Sequence, residues 1–156
     1  QASLPEGVSM EIAELGDIPF YNADITDKPA AVKRVLAQIA AADALVLACN
    51  EYNYSLAPAL KNIIDWASRE PDNALLAGKA VAIMGAAGGM GSSRAQYHLR
   101  QVCVCLDLQP LNKPEVFANA FANTFDGDGN LTDERLTKLV KDQMQALADK
   151  VTRLRA

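Results

Sequence analysis

CNEYNYSLAPALKNIIDWASR, residues 49–69, places six consecutive hydrogen-bonding side chains directly behind an apolar run. They are Asn50, Glu51, Tyr52, Asn53, Tyr54 and Ser55. The run they follow, Ala44-Leu-Val-Leu-Ala-Cys49, is short and continuous, the pattern of a strand covered on both faces. Pro58 then opens a helix with Leu60, Ile63, Ile64 and Ala67 at helical spacing. A surface turn needs one or two polar residues. Six of them between a buried strand and a helix make a loop equipped to hold something.

The same alternation continues on both sides. Val8 to Leu15 reads as a strand, followed by a loop containing Gly16, Pro19 and Asn22. Pro29 opens a helix whose apolar face is Val32, Val35, Leu36 and Ile39. Lys79 to Met84, entered through Gly78, is a second buried strand, and the glycine-rich GAAGGMG loop, 85–91, follows it. Ser92 or Ser93 is the expected cap of the helix carrying Leu99, Val102, Cys103 and Leu106. Leu108 to Phe117 reads as a strand interrupted by Pro110 and Pro114. After a loop through Asp126 to Asn130, Thr132 is the expected N-cap of a last helix. Its stripe is Leu136, Leu139, Val140, Met144, Leu147, Val151 and Leu154. Strands alternating with helices imply parallel pairing and right-handed crossovers, hence one doubly wound α/β domain over residues 1–156. Gln1-Ala-Ser-Leu-Pro-Glu-Gly7 reads as the tail of a helix and its stop, so a strand and most of a helix are expected before residue 1.

Composition narrows the function. A chain of 156 residues that is 50% hydrophobic and 22% charged fits one ordinary globular domain. With a net charge of −4 and no basic block, duplex nucleic acid and anionic membrane are poor partners. No apolar run approaches the roughly 18 residues of a membrane span. Cys49, Cys103 and Cys105 form no CxxC and leave an odd count, which reads as free thiols in a reducing cytoplasm. Gly89-Met-Gly91-Ser-Ser-Arg94 lacks the third glycine of a dinucleotide fingerprint and follows a late strand. Asp126-Gly-Asp-Gly-Asn130 continues with Leu131 and ends at Thr137 where a calcium loop needs glycine and glutamate, so it reads as a polar turn. His98 has no Cys or carboxylate at metal spacing. No metal site and no Ser-His-Asp arrangement is expected.

In an open α/β sheet, ligands bind beyond the carboxyl ends of the strands. Asn50–Ser55 and Gly85–Gly91 both occupy that position. The first is dense in donors and acceptors, and the second is small enough for backbone to approach a flat ligand. Together they suit a planar heterocycle with polar edges.

Glu51-Tyr-Asn-Tyr-Ser55 followed by Leu60-Lys-Asn-Ile-Ile-Asp-Trp-Ala-Ser68 resembles the PEYN-x-S…LKNxxDW signature of the NADPH-dependent FMN reductase family, closest to its quinone and chromate reductase subgroup. Pro19-Phe-Tyr-Asn22, Gly78-Lys79, Gln96-Tyr-His-Leu-Arg-Gln101 and Asn112-Lys-Pro-Glu115 agree, so the resemblance spans essentially the whole chain. It implies a flavodoxin-like fold of strand order 2-1-3-4-5 with FMN at the switch point. It further implies that the backbone of Asn50, Glu51, Tyr52, Asn53 and Tyr54 lines the isoalloxazine edge, met from the neighbouring strand by Ala86, Ala87, Gly88 and Gly89. The family's GSxRxxSxN phosphate loop, at the end of its first strand, does not occur in these 156 residues. Asn50 stands where the family has proline, which frees a backbone donor.

The implied activity is NAD(P)H oxidation by ping-pong hydride transfer through flavin to a quinone, chromate or similar acceptor, with NADPH or NADH as donor. The flavin carries the chemistry, so no catalytic side chain is expected. The alternative is a flavodoxin-type electron carrier without turnover, although carriers are usually strongly acidic around the flavin. A cytoplasmic homodimer or homotetramer is implied. Arg94 and Tyr97, three apart on one helix face, are expected to bond Glu115 and Tyr54 of another subunit at the active-site entrance.

Overall fold

The computed structural model describes residues 2–156. The sheet is built around β4 (Ala80–Ala87), whose first four residues are all buried. On one edge β1 (Ala44–Ala48) runs parallel, from Ala44 opposite Ala80 to Ala48 opposite Met84. The other edge is shared by two short parallel strands. The first, β5 (Gln109–Pro110), sits opposite Ala80 and Val81; the second, β6 (Val116–Asn119), sits opposite Met84 to Ala87. Of the two prolines expected to break this pass, Pro114 lies between the pieces, whereas Pro110 is the last residue of β5, after which the strand stops.

Period-2 alternation along β4 assigns its faces. Val81 and Ile83 point to one side and pack with α1 (Ala30–Ala41), α2 (Pro58–Ala67) and α3 (Ser93–Cys105). That core contains Val32, Val35, Leu60, Ile63, Trp66, Leu99 and Cys103. Ala80 and Ala82 point the other way, where small side chains let α4 (Glu134–Arg155) approach with Met144 and Leu147. Gln143, buried on α4, donates its amide to Ile83 O at 3.0 Å and Pro114 O at 2.8 Å, clipping that helix to the sheet. Helices thus cover both faces of a parallel sheet, as the alternation predicts. Pro29 and Pro58 start α1 and α2 at the expected places.

Four expectations are corrected. Val8–Leu15 forms no strand: a strand exists only through a ladder, and none of the described strands pairs with this segment. Ala13 and Leu15 pack against the core instead, while Ile12 is exposed. The second buried strand runs three residues past Met84, because β6 pairs with Gly85, Ala86 and Ala87. Asp133, not Thr132, caps α4, accepting from Leu136 N at 2.7 Å. Ser92 occupies the N-cap of α3, yet its hydroxyl accepts from Gln96 Nε2 at 3.0 Å and caps nothing.

Candidate active site

The site begins where β1 and β4 part company. Cys49 N donates to Met84 O at 2.8 Å, the last bond between their lines. Along a parallel strand, successive residues direct their backbone groups to opposite edges. Met84 O serves β1, and Ala87 O accepts from Ala120 N on the β6 side. Ala86, between them in phase with Met84, therefore turns its N–H and C=O toward the edge that β1 has left.

Across that gap stands the polar loop. It folds as a two-stranded hairpin, β2 (Glu51–Tyr52) and β3 (Ser55–Leu56), with Tyr52 opposite Ser55. The two turn residues, Asn53 and Tyr54, have φ of +49° and +66°. Positive φ at both central positions is the type I′ hairpin turn, which favours Asn followed by Gly. Asparagine meets the first preference; tyrosine does not meet the second. What holds Tyr54 there is Arg94, whose guanidinium lies 4.2 Å from its ring centroid.

Glu51 is the surprise among the six. Its side chain, 10% exposed, turns away from the loop to the first turn of α3. One carboxylate oxygen accepts from Arg94 N at 3.1 Å and Ala95 N at 3.2 Å; the other faces Arg94 Nη1 at 3.3 Å. Glu51 thus caps the helix that Ser92 leaves uncapped. Ser55 Oγ meets His98 Nδ1 at 3.3 Å. The six polar residues therefore divide their work: Glu51 to Ser55 build the hairpin, and Glu51, Tyr54 and Ser55 anchor it to α3. Asn50 and Tyr52 are exposed with no side-chain hydrogen bond among the described residues, and Asn53 and Tyr54 are exposed at the turn.

The glycine loop closes the other side. The amides of Asn50, Asn53, Gly88 and Gly89 have no acceptor among the described residues. A Cβ on Gly89 would meet nothing within 4 Å, and one on Gly88 would meet only Phe121, at 3.8 Å. Unpaired donors on two facing loops, with open space over the glycines, fit the polar rim and flat face of an isoalloxazine. Two exposed apolar residues escaped the sequence reading: Phe121, 89% exposed after β6 and next to Gly88, and Met90, 59% exposed in the glycine loop. The only signal was a bulky apolar residue within each small-residue stretch.

Cys49 and Cys103 are fully buried, and burial pushes both thiols up to about 11. They are packing residues rather than nucleophiles. Asp126 accepts from Asp128 N, Asn130 N and Asn130 Nδ2, which makes the loop a self-bonded turn as expected. Among the described residues no cluster of metal-ligating side chains occurs.

The four residues expected to pair between subunits pair within one chain. Tyr97 donates its hydroxyl to Glu115 at 3.0 Å, and Arg94 covers Tyr54. The Lys113 ammonium, 2.6 Å from Glu115 and helped by Tyr97, holds that carboxyl below its ordinary value. Helix α3 and the segment before β6 lie close enough for these bonds without a second copy.

The model of the NADPH-dependent FMN reductase family matches residues 1–123. An NAD(P)H-dependent FMN reductase from Pseudomonas aeruginosa is 52% identical over 155 residues, 97% of this chain and 83% of its own. A quinone reductase from Escherichia coli is 40% identical, covering 94% of this chain and 82% of its own. Among solved structures, the flavoenzyme NAD(P)H:(acceptor) oxidoreductase FerB from Paracoccus denitrificans superposes with a TM-score of 0.83 at 30% identity, covering 95% of this chain and 83% of that one.

Proposed function

Because the chain belongs to the NADPH-dependent FMN reductase family, we propose that it is an FMN-dependent NAD(P)H oxidoreductase that reduces quinones. Bound FMN would supply the hydride chemistry between NAD(P)H and the acceptor. The chain's own part is to bind and orient. Backbone groups of Asn50 to Tyr54 and of Ala86 to Gly89 hold the ring edge. Phe121, Met90 and Tyr52 offer apolar surface on which a flat donor or acceptor can lie while water is kept away. The observation that carries this reading is the set of unpaired amides on two facing loops beside the bare glycines. Steady NAD(P)H oxidation by the flavin-loaded chain with excess quinone tests it. Stoichiometric reduction of bound flavin without turnover would instead identify an electron carrier.

Chromate reduction belongs to the same proposal as an acceptor of the reduced site. We read residues 1–156 as a single flavodoxin-like domain. A homodimer or homotetramer remains part of the reading, with Tyr54, Arg94, Tyr97 and Glu115 at the entrance. Sedimentation of Arg94→Ala tests their part in assembly. Three unpaired cysteines support a cytoplasmic site of action. No helix among the described residues is long and apolar enough to cross a membrane.

A further inference from the structure

We propose that the Glu51 carboxylate is a positioning residue: it latches the hairpin that carries the flavin-edge amides to the first turn of α3, and so sets how the flavin sits for hydride transfer without touching it. The proposal rests on the FMN reading above.

The latch joins three parts of the site through one side chain. Glu51 itself is in β2, two residues before the turn at Asn53. Its carboxylate takes the free amides of Arg94 and Ala95, which follow the glycine loop by three and four residues. Helix N-termini carry a partial positive charge, so a carboxylate is the group that best satisfies them. The neighbouring alternative is absent, since Ser92 spends its hydroxyl on Gln96. The same carboxylate pairs with the Arg94 guanidinium, and that guanidinium covers Tyr54. The chain Glu51–Arg94–Tyr54 therefore returns to the hairpin and stabilises a tyrosine at φ +66°, where its backbone alone would resist.

Geometry makes the consequence specific. The hairpin and the glycine loop belong to different strand–helix units, and beyond the Cys49 N–Met84 O bond no backbone bond among the described residues joins them, so side-chain bonds hold their far ends together across the gap. Removing the latch leaves both loops folded but lets that gap vary. A ring bound by amides on both sides would then shift by a fraction of its own contact distance. Hydride transfer is sensitive to displacements of about 1 Å, which cost on the order of a hundredfold in rate. Binding, which sums many contacts, is less sensitive.

The test has two arms on the full chain. In the first, without flavin, amide hydrogen exchange at Arg94 and Ala95 is compared among the parent, Glu51→Gln and Glu51→Ala. Exchange should quicken by about tenfold or more in Glu51→Ala, the scale of losing charge-assisted bonds. Glu51→Gln keeps one acceptor oxygen at the same reach and should fall between. Unchanged exchange in both variants overturns the latch. In the second arm, flavin-loaded protein should lose about tenfold or more in kcat with Glu51→Ala while KM for NADPH moves by less than about threefold. Glu51→Gln should recover much of that loss. Quickened exchange with an unchanged kcat overturns the positioning role. If Glu51→Ala does not fold, Glu51→Gln decides both arms by the same criteria. Failure of the parent to bind flavin strikes the FMN reading instead, and the exchange arm still decides the latch.

Discussion

Gly85→Ala adds one carbon atom at the floor of the site, and the structure shows where that atom goes. A Cβ there would lie 2.1 Å from Cys49 O and 2.4 Å from Ser92 Oγ. Unstrained contacts between nonbonded heavy atoms fall at about 3.5–4.0 Å, so the overlap exceeds 1 Å on two sides. Neither neighbour can yield easily. Cys49 is fully buried and its N–H is bonded to Met84 O, the residue before Gly85, while the Ser92 hydroxyl is held by Gln96. Relief requires β1 and β4 to separate at the point where the hairpin departs. Overpacking of a well-packed core costs about 1–3 kcal/mol and occasionally more, and backbone on one side places this change at or above the upper end. For a chain of this size each kcal/mol lowers Tm by about 2–4 °C, so the expected fall is roughly 6–12 °C. Gly89→Ala is the internal control, since its Cβ meets nothing within 4 Å and its φ is not positive. Thermal unfolding of the two variants beside the parent decides the matter. A Gly85→Ala melt within about 1 °C of Gly89→Ala would refute the packing argument.

Three further outcomes follow from the geometry. Tyr54→Gly should stay within about 1 kcal/mol of the parent in urea unfolding, because relief of the positive φ offsets loss of the Arg94 stack; Tyr54→Val, β-branched and without the ring, should be clearly less stable. Glu115 has its folded value depressed, first by the Lys113 hydrogen bond, so its stabilisation is present above the ordinary 4.5 and is lost as pH falls through the folded value. Glu115→Gln should therefore flatten the acid side of the stability profile, and parallel profiles would contradict this. A small thiol reagent at neutral pH should label Cys105 alone in the native protein and all three cysteines in denaturant, because Cys49 and Cys103 are buried thiols raised to about 11.

Most of the fold could be read from the sequence because its signals are local. Pro29 and Pro58 mark helix starts, and the stripes Val32–Val35–Leu36 and Leu60–Ile63–Ile64 identify buried faces without any knowledge of partners. The misreadings share the opposite property. Val8–Leu15 has strand composition, but pairing depends on a neighbour that composition does not reveal. Thr132 and Asp133 are equally good caps in isolation. The structure chooses Asp133 because Thr132 is already bonded to Thr124 O through its amide, at 2.9 Å, and its hydroxyl, at 3.3 Å. The two loops of the site were legible as loops, yet the task of Glu51 was not: its partners are 43 and 44 residues away. Gly85, Ala86 and Ala87 read as loop because they are small, whereas β6 makes them strand.

The three-residue overhang of β4 past β1 bears on how the protein tolerates being empty. Most backbone groups within a central strand are satisfied by the fold itself, but Ala86 turns its pair toward solvent or toward whatever fills the gap. A bound ring that accepts from and donates to that residue would act as one more rung of the sheet, supplied from outside the polypeptide. Loading should then suppress local opening at the exit of the central strand far more than it changes the shape of the molecule. The region hardest to digest in the loaded form would become an early point of proteolytic attack in the stripped one, with the cut falling in the glycine loop rather than at a terminus.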